Sequence, residues 1–233
     1  RGFTQNDAHV YCRTSQLKDV IGEAITRFKQ AYQDIGITDY KIRFSLPDFE
    51  NDPEKFGSEE TPEWRDSVTA MRNALDELHI DYYDAIGEAA FYGPKIDIQV
   101  KNVNGKEDSL STIQVDYSIA PKFNITYTNE AGENETPVII HMALMGSIDR
   151  FMAFMLEMTA GRLPVWLAAT QIKILTINNE PETMAYVDTI TSSLDGMVLM
   201  KPLRYNEIRY TVDSRNVSLN KKIREAQVEK VPI

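Results

Sequence analysis

The sequence predicts an α+β fold in which an antiparallel β-sheet flanked by helices is followed by a smaller α/β unit. Apolar residues recur at helical spacing in two segments before residue 80, and side chains alternate with period two from 82 to 141. After Pro164, strand and helix patterns alternate. We therefore predict two domains, one over residues 1–164 and one over residues 165–233.

The first helical segment follows a short strand-like opening that ends at Tyr11. Ser15 is a residue type that caps helices, and the apolar spacing predicts a helix from Ser15 to Gly36. Gly36 is suited to end it, because glycine adopts the left-handed conformation found at helix C-termini. The alternation in "YKIRFSL", residues 40–46, predicts a strand.

A long polar loop is predicted over residues 46–62, where acids and turn-forming residues dominate. Pro62 then begins a second helix, whose apolar stripe includes Trp64 and Met71. His79 lies at the predicted end of this helix, where a histidine is commonly found.

The centre of the chain predicts strands paired by hairpins. Residues 95–119 divide into two strands at Asn104-Gly105, a dipeptide typical of tight hairpin turns. Residues 123–141 form a second predicted pair around a glycine-containing loop. Together they indicate an antiparallel sheet.

A largely apolar helix is predicted to begin at Gly146-Ser147 and to end before Gly161. Because little of its surface is polar, we expect it to be buried on most sides. It nevertheless carries Arg150, whose guanidinium cannot lose its charge and is costly to bury without a partner. The sequence therefore predicts that an anion meets Arg150.

The last third of the chain predicts parallel pairing through crossovers, since strands over 170–178 and 197–203 alternate with helices over 181–196 and 218–230. A third strand begins at the terminal "VPI", so this α/β unit is expected to be truncated.

The last helix carries a local basic strip of Lys221, Lys222 and Arg224. The strip could hold a phosphate backbone, or it could be an ordinary solvated helix face, which charge alone favours.

The composition is that of a globular protein, with 42% hydrophobic and 26% charged residues among 233. A net charge of −10 argues against broad, non-specific nucleic-acid binding. No run of 18 apolar residues exists that could span a membrane. The single cysteine, Cys12, excludes an internal disulfide and fits the reducing cytoplasm, our predicted location. The start lacks both a methionine and a signal peptide, so we expect that the N-terminus was removed.

Four blocks of the sequence, in this order and spacing, resemble threonyl-tRNA synthetase, a family of class II aminoacyl-tRNA ligases. They are "RGFTQNDAHVYC" from residue 1, "GEAAFYGPKIDI" from 87, "STIQVDYS" from 111 and "PVIIHMALMGSIDRF" from 137. The stretches "VWLAATQIKIL" and "VDSRNVSLNKKIREAQVEKVP" resemble the start of the family's anticodon-binding domain. The resemblance implies a fragment: a class II catalytic domain from the second strand of motif 2 to motif 3, followed by a truncated anticodon-binding domain.

The resemblance assigns an anion to Arg150. "GSIDRF" corresponds to motif 3 of the family, whose arginine holds the γ-phosphate of ATP. Gly146 and Ser147 lie beside it at a helix N-terminus, which favours anions. Asp149 stands where the family often has glutamate and could partner Arg150 when ATP is absent.

The resemblance also implies a zinc ion held by His9 and His141. Neutral imidazole is a preferred zinc ligand, and an open coordination position would take the amino and hydroxyl groups of threonine. The family's third ligand is a cysteine upstream of motif 2, which has no counterpart in this chain. Cys12 lies three residues past His9, so strand alternation points it to the opposite face, and we predict a buried thiol there.

Gln5, Asp7, Tyr92 and Gln114 match positions that line the threonine pocket of the family. Gln5 and Asp7 share a predicted strand face with His9, and Asp7 would accept the threonine hydroxyl. The implied partners are threonine, ATP with magnesium, and tRNA(Thr), and a homodimer is expected for the full-length protein.

Two alternatives stay open at this stage. A prolyl-type or histidyl-type synthetase would share the fold, but it would not need Asp7, His9 and His141 together. A catalytically inactive synthetase-like binding or regulatory module is supported by the altered loop at Ser109 to Ser111, within "KEDSLS" at 106–111. This loop departs from the glutamine-containing stretch that usually approaches adenosine.

Overall fold

The computed structural model describes residues 2–195, 197 and 207–233. These residues divide into two compact units, Arg1–Phe154 and Met155–Ile233. The predicted boundary between domains 1–164 and 165–233 stays a prediction.

The strands of the described residues are, in chain order, β1 Gln5–Cys12, β2 Tyr40–Leu46, β3 Tyr82–Ile86, β4 Lys95–Lys101, β5 Glu107–Asp116, β6 Tyr127–Thr128, β7 Asn134–Glu135, β8 Val138–Ser147, β9 Ile172–Leu175 and β10 Tyr210–Asp213. The helices are α1 Leu17–Ile35, α2 Pro53–Phe56, α3 Pro62–Glu77, α4 Ile119–Lys122, α5 Ile148–Met158, α6 Pro181–Leu194 and α7 Leu219–Val228.

The first unit is built on a six-stranded sheet with the strand order β1-β8-β5-β4-β2-β3. Its pairs are antiparallel except for β2 and β3, which are parallel because α3 crosses over between them. The predicted α+β class and central antiparallel pairing are therefore confirmed, and the parallel edge is an addition.

The two faces of this sheet differ in chemistry. One face is apolar, and helix α1 covers it with Ile25, Phe28 and Tyr32 against Ile96 and Ile98. The opposite face carries polar side chains at the alternate positions of the same strands, as the two-residue period of a strand requires. The candidate residues His9, Gln114 and His141 lie on this polar face.

Several predicted boundaries in the first unit are confirmed. Gly36 ends α1 with φ of 84°, Pro62 begins α3, and His79 follows the end of α3 with φ of 51°. Gly105, with φ of 76°, forms the turn between β4 and β5. The cap at Ser15 is wrong: Ser15 lies inside a short 3-10 turn, Thr14–Gln16, where the Gln16 side chain accepts the Arg13 N–H at 3.0 Å.

The loop predicted over 46–62 is polar in composition, but part of it packs against helix α3. It contains α2, and Phe49 and Phe56 pack edge-on against Trp64 with ring centroids 5.7 and 6.1 Å away. Because the two phenylalanines are isolated in the sequence, no periodicity signals this aromatic cluster.

The second predicted pair of strands and the apolar helix after it are partly wrong. Only a short hairpin, β6–β7, forms from the pair, and the strand predicted to end at His141 continues to Ser147. Helix α5 starts at Ile148 and is not buried on most sides, since Leu156 is 47% and Met158 40% exposed. A continuous apolar run fits a buried strand as well as a helix, and hydrogen bonding to β1 and β5 on either side decided the outcome.

In the second unit, β9 pairs in parallel with β10. The predicted parallel pairing of residues 170–178 with 197–203 stays a prediction. Helices α6 and α7 match the predicted helices, whereas most of the strand predicted over 197–203 lies outside the described residues. β10 was not predicted.

Neither prediction for the basic strip holds at Lys222, which is fully buried. Its Nζ donates to the Thr176 carbonyl at 2.8 Å and to Thr176 Oγ1 at 3.2 Å. Lys221 and Arg224 stay exposed on either side. The strip is therefore not one continuous basic surface.

The second unit is expected to lose stability in acid through Asp213. The Arg215 guanidinium, 2.5 Å from this buried carboxylate, outweighs the effect of burial and holds the pKa of Asp213 well below its usual range. Because the folded pKa lies below the unfolded value of about 3.9, the stabilisation is complete above that pH and is lost as the pH falls towards the folded pKa.

We therefore expect Asp213→Asn to lower the urea midpoint at pH 7 and to lower it progressively less below pH 4. Asp188→Asn, on the exposed surface of α6, is the control and should change little at either pH. If the difference in urea midpoint between wild type and Asp213→Asn stayed constant from pH 7 to pH 2.5, ionised Asp213 would not be the source of this stability.

Among the described residues, no helix combines the length and apolar character needed to cross a membrane.

Candidate functional site

A row of polar side chains runs across five neighbouring strands of the sheet. Cα pairing aligns Ser45 with Lys95, Lys95 with Gln114, Gln114 with His141, and His141 with His9. Side chains directly opposite each other on paired strands share a face. Three of the predicted site residues, Gln114, His141 and His9, therefore lie side by side.

The two histidines at the end of the row are in contact. The ring centroids of His9 and His141 are 4.6 Å apart and the ring planes are inclined at 78°. Two imidazoles bound to one zinc ion have centroids about 5 Å apart, given Zn–N bonds of about 2.0–2.1 Å. The spacing of the rings therefore fits a shared metal ion.

The described residues supply only two nitrogen ligands to such an ion. No group of three or more histidine, cysteine, aspartate or glutamate side chains in this part of the chain is arranged to hold a metal. Cys12 is buried on the far side of β1, as predicted, and burial raises the pKa of its thiol. A complete zinc site would need a further ligand from elsewhere.

Asp116 stands behind His141 as a fully buried carboxylate. Its Oδ2 lies 3.0 Å from His141 Nε2, and its Oδ1 accepts the N–H groups of Ser118 at 2.6 Å and Ile119 at 3.0 Å. Burial by itself would raise the pKa of Asp116, but these bonds outweigh it, and the pKa lies below its ordinary value. The carboxylate is thus held ionised against the imidazole.

Tyr92 reaches the row from the loop between β3 and β4. Its hydroxyl donates to Gln114 Oε1, and its ring centroid lies 5.8 Å from that of His141. Burial raises the pKa of Tyr92, and the nearby charges of Asp116 and Asp7 raise it further. Asp7 is thus close enough to Tyr92 for its charge to act on the hydroxyl.

The Tyr92 loop depends on Gly93. A Cβ placed on Gly93 would lie 1.8 Å from the carbonyl oxygen of Val115 on β5, which is far inside van der Waals contact. The loop can approach β5 this closely only because residue 93 has no side chain. Tyr92 is consequently held close to Gln114.

A β-bulge connects the histidine pair to the start of α5. Between Asn6 and Ala8 of β1, the facing residues on β8 run from Gly146 to Met142, so β8 carries the extra residues. The Asn6 side-chain oxygen accepts the freed N–H groups of Leu144 at 3.1 Å and Met145 at 3.3 Å.

Gly146, Ser147 and Arg150 lie where β8 turns into α5. Gly146 has φ of 56°, and Ser147 pairs with Gln5 of β1. Ser147 Oγ lies 3.5 Å from the Arg150 N–H, at the limit of a hydrogen bond. The Gln5 pairing brings this junction to the same end of β1 as Asp7.

Arg150 is exposed, and the predicted Asp149 partnership is not formed. Within the described residues, no carboxylate oxygen lies within 4.0 Å of the Arg150 guanidinium. Its charge is therefore open to an external anion.

The stretch 106–111 belongs mostly to strand β5, as the predicted hairpin around Asn104-Gly105 requires. Glu107 begins β5, and Leu110 forms a bulge against β4 between the pairs Ile98–Ser111 and Gln99–Ser109.

A family comparison matches residues 1–159 to the tRNA synthetase class II core domain (G, H, P, S and T). The chain belongs to this family. In this class II core, helix α5 with Arg150 directly follows β8, the strand that carries His141.

Relatives of the chain include threonine–tRNA ligases. The chain is 39% identical to the enzyme of Listeria monocytogenes and 38% identical to threonine–tRNA ligase 1 of Bacillus subtilis, over its whole length in both cases. It spans about a third, 34%, of the length of each relative. The chain also resembles a solved structure, the RNA binding domain of threonyl-tRNA synthetase from Cryptosporidium parvum Iowa II, with TM-score 0.81 and 30% identity. The match covers 98% of this chain and 53% of the chain in that structure.

Two side chains of the site, Asp116 and Asn6, were not predicted from the sequence. Asp116 lies two residues after Gln114, so strand alternation could have placed it on the same face. Asn6 had no such signal, because a bulge on β8 cannot be seen in the sequence of β1.

Proposed function

We propose that the chain is part of a longer threonine–tRNA ligase that forms threonyl-adenylate from threonine and ATP and transfers threonine to tRNA(Thr). The observation that carries the proposal is the contact between His9 and His141 beside Tyr92 and Gln114 on the polar face. The identity to threonine–tRNA ligases over the whole chain supports the same reaction.

In this proposal the row of side chains recognises threonine. Asp7 accepts the substrate hydroxyl and attracts its ammonium group, while Gln5, Tyr92 and Gln114 form the walls. Valine has nearly the same shape but no hydroxyl, so it would leave buried polar groups unpaired, and such mismatches are rejected far more strongly than size differences.

His9 and His141 would hold zinc, together with a ligand from outside the chain. When bound, zinc would supply a Lewis-acid contact for the amino and hydroxyl groups of threonine. The spacing of the two histidine rings supports this assignment, and so does the Asp116 carboxylate behind His141.

Arg150, Gly146 and Ser147 would bind the ATP phosphates, with magnesium accompanying the nucleotide. The threonine carboxylate oxygen attacks the α-phosphorus, the bond to the bridging oxygen breaks, and pyrophosphate leaves. The tRNA hydroxyl then attacks the threonyl carbonyl carbon and AMP leaves. No enzyme nucleophile is needed, so positioning and neutralisation of charge provide the catalysis.

The test is pyrophosphate exchange by the full-length protein. We expect exchange with threonine, weaker exchange with serine, which keeps the hydroxyl, and almost none with valine. His9→Ala should reduce threonine-dependent exchange by about 100-fold or more, because loss of even an outer partner of a metal ligand costs 10–100-fold. His79→Ala is the matched control, since His79 lies at the end of α3 outside the row.

Full exchange by His9→Ala would contradict the proposed role of the histidines. Binding of ATP without exchange for any amino acid would support the alternative, a catalytically inactive regulatory or binding module.

A further inference from the structure

Asp116 occupies a position from which it can set the chemistry of the His141 ring. It lies on β5 diagonal to His141 on β8, since Asp116 pairs with Ile139 and Gln114 pairs with His141. Its carboxylate is inaccessible to solvent, and His141 is the one histidine within hydrogen-bond distance of it among the described residues.

The orientation of this carboxylate is fixed by the backbone. Oδ1 accepts the N–H groups of Ser118 and Ile119, which can only donate, so Oδ2 is directed at His141 Nε2, 3.0 Å away. A neutral imidazole carries its proton on one nitrogen and a lone pair on the other. A carboxylate oxygen facing Nε2 selects the form with the proton on Nε2, which leaves the lone pair on Nδ1.

We propose that Asp116 is a positioning residue that fixes His141 as the Nε2-protonated tautomer and so presents Nδ1 to the metal ion. The inference rests on the proposed function, because it assigns a role toward the proposed zinc. Metal-bound histidines commonly donate their second ring N–H to a carboxylate, which fixes both the tautomer and the ring orientation.

Asp116→Asn tests this role with little change in shape. The Asn oxygen can remain on the Ser118 and Ile119 amides, so its NH₂ group would face His141 Nε2. An NH₂ donor requires a lone pair on Nε2, and the proton then moves to Nδ1, which can no longer bind metal. We therefore expect the zinc dissociation constant of the full-length protein to rise by about 10- to 100-fold, measured by competition with a chromogenic chelator.

Asp97→Asn is the matched control. Asp97 is also a buried aspartate of this sheet, but it is held by Ser45, Arg43 and Lys95 rather than by a histidine. Its zinc dissociation constant should stay within about threefold of wild type, an allowance for indirect effects. Equal weakening in both variants, or an unchanged dissociation constant in Asp116→Asn, would overturn the proposal.

A second measurement is made on the wild-type protein, and a variant is needed only to assign the His141 signals. Long-range proton–nitrogen NMR on ¹⁵N-histidine-labelled, metal-free protein, with His141 assigned through its absence in His141→Gln, reads the tautomer directly. We expect the proton on Nε2, and a proton on Nδ1 would overturn the inference.

If wild type shows the expected tautomer but binds no zinc, the proposed function fails at the metal and the metal role of Asp116 is overturned with it. If zinc binds and the tautomer is wrong, only the inference fails.

Discussion

Replacing Arg150 with alanine is expected to lower threonine-dependent pyrophosphate exchange by about 10²–10³-fold, the loss typical of removing a group that stabilises transition-state charge. The guanidinium is exposed in the first turn of α5, and no carboxylate within 4.0 Å engages it in the described part of the chain. Its charge is available to ATP without first breaking an ion pair. Alanine removes both the charge and the planar pair of donors.

The comparison with Arg150→Lys separates charge from geometry. Lysine keeps the charge but not the two parallel donors that match a phosphate, so we expect activity between those of wild type and Arg150→Ala. Exchange measured over a range of ATP concentrations then divides the loss between KM for ATP and kcat.

Arg27→Ala is a suitable control for the loss of an exposed helical arginine. Within the described residues, Arg27 pairs only with Glu23 on the surface of α1, at 2.5 Å, and such surface pairs contribute little. It should retain exchange within about twofold. If Arg150→Ala matched Arg27→Ala, the phosphate assignment would be wrong.

Gly93→Ala is expected to produce the largest loss of stability. The added Cβ would lie 1.8 Å from the Val115 carbonyl oxygen and 2.9 Å from its carbon, both in the backbone of a central strand that cannot swing aside. Relief requires the Tyr92 loop or β5 to move, so we expect a loss of about 3 kcal/mol or more in the free energy of unfolding, beyond the usual range for overpacking. Urea unfolding followed by tryptophan fluorescence measures it.

The same chain offers a glycine for which alanine should be harmless. Gly22 lies inside α1, and a Cβ there would meet only Leu78 Cδ1 at 3.9 Å. Because glycine is less favourable than alanine within a helix, Gly22→Ala should raise stability by about 0.5–1 kcal/mol. Stability of Gly93→Ala within about 0.5 kcal/mol of wild type, the usual range for harmless surface changes, would refute the close approach.

The positioning of Tyr92 should fail together with stability in Gly93→Ala. The Tyr92 hydroxyl bonds Gln114 next to His141, so movement of the loop would also open the proposed threonine pocket. Any soluble Gly93→Ala protein is therefore expected to show a raised KM for threonine.

The sequence predicted the local features of this protein. Gly36, Pro62 and Gly105 act where they were expected because turn and cap residues respond to the backbone conformation of their nearest neighbours. Strand alternation also placed Cys12 away from His9, since that rule depends only on counting along one strand. The resemblance of four short blocks supplied the candidate site residues.

What the sequence could not supply was the environment of those residues. It predicted that the helix starting at Gly146-Ser147 is buried on most sides, whereas α5 is partly exposed. It also ended at His141 a strand that continues to Ser147. It expected Asp149 beside Arg150, and it treated Lys222 as part of a surface strip although Lys222 is fully buried. In each case the residue type was clear, but its burial and its partner were not.

Only the tertiary structure decided that His9 and His141 face each other, that Asp116 stands behind His141 and that Asn6 closes the bulge before α5. These contacts join residues far apart in the chain through strand order and register. Strand order and register are set by hydrogen bonds and side-chain packing between distant segments, whereas helices, turns and alternation are set by interactions within a few residues.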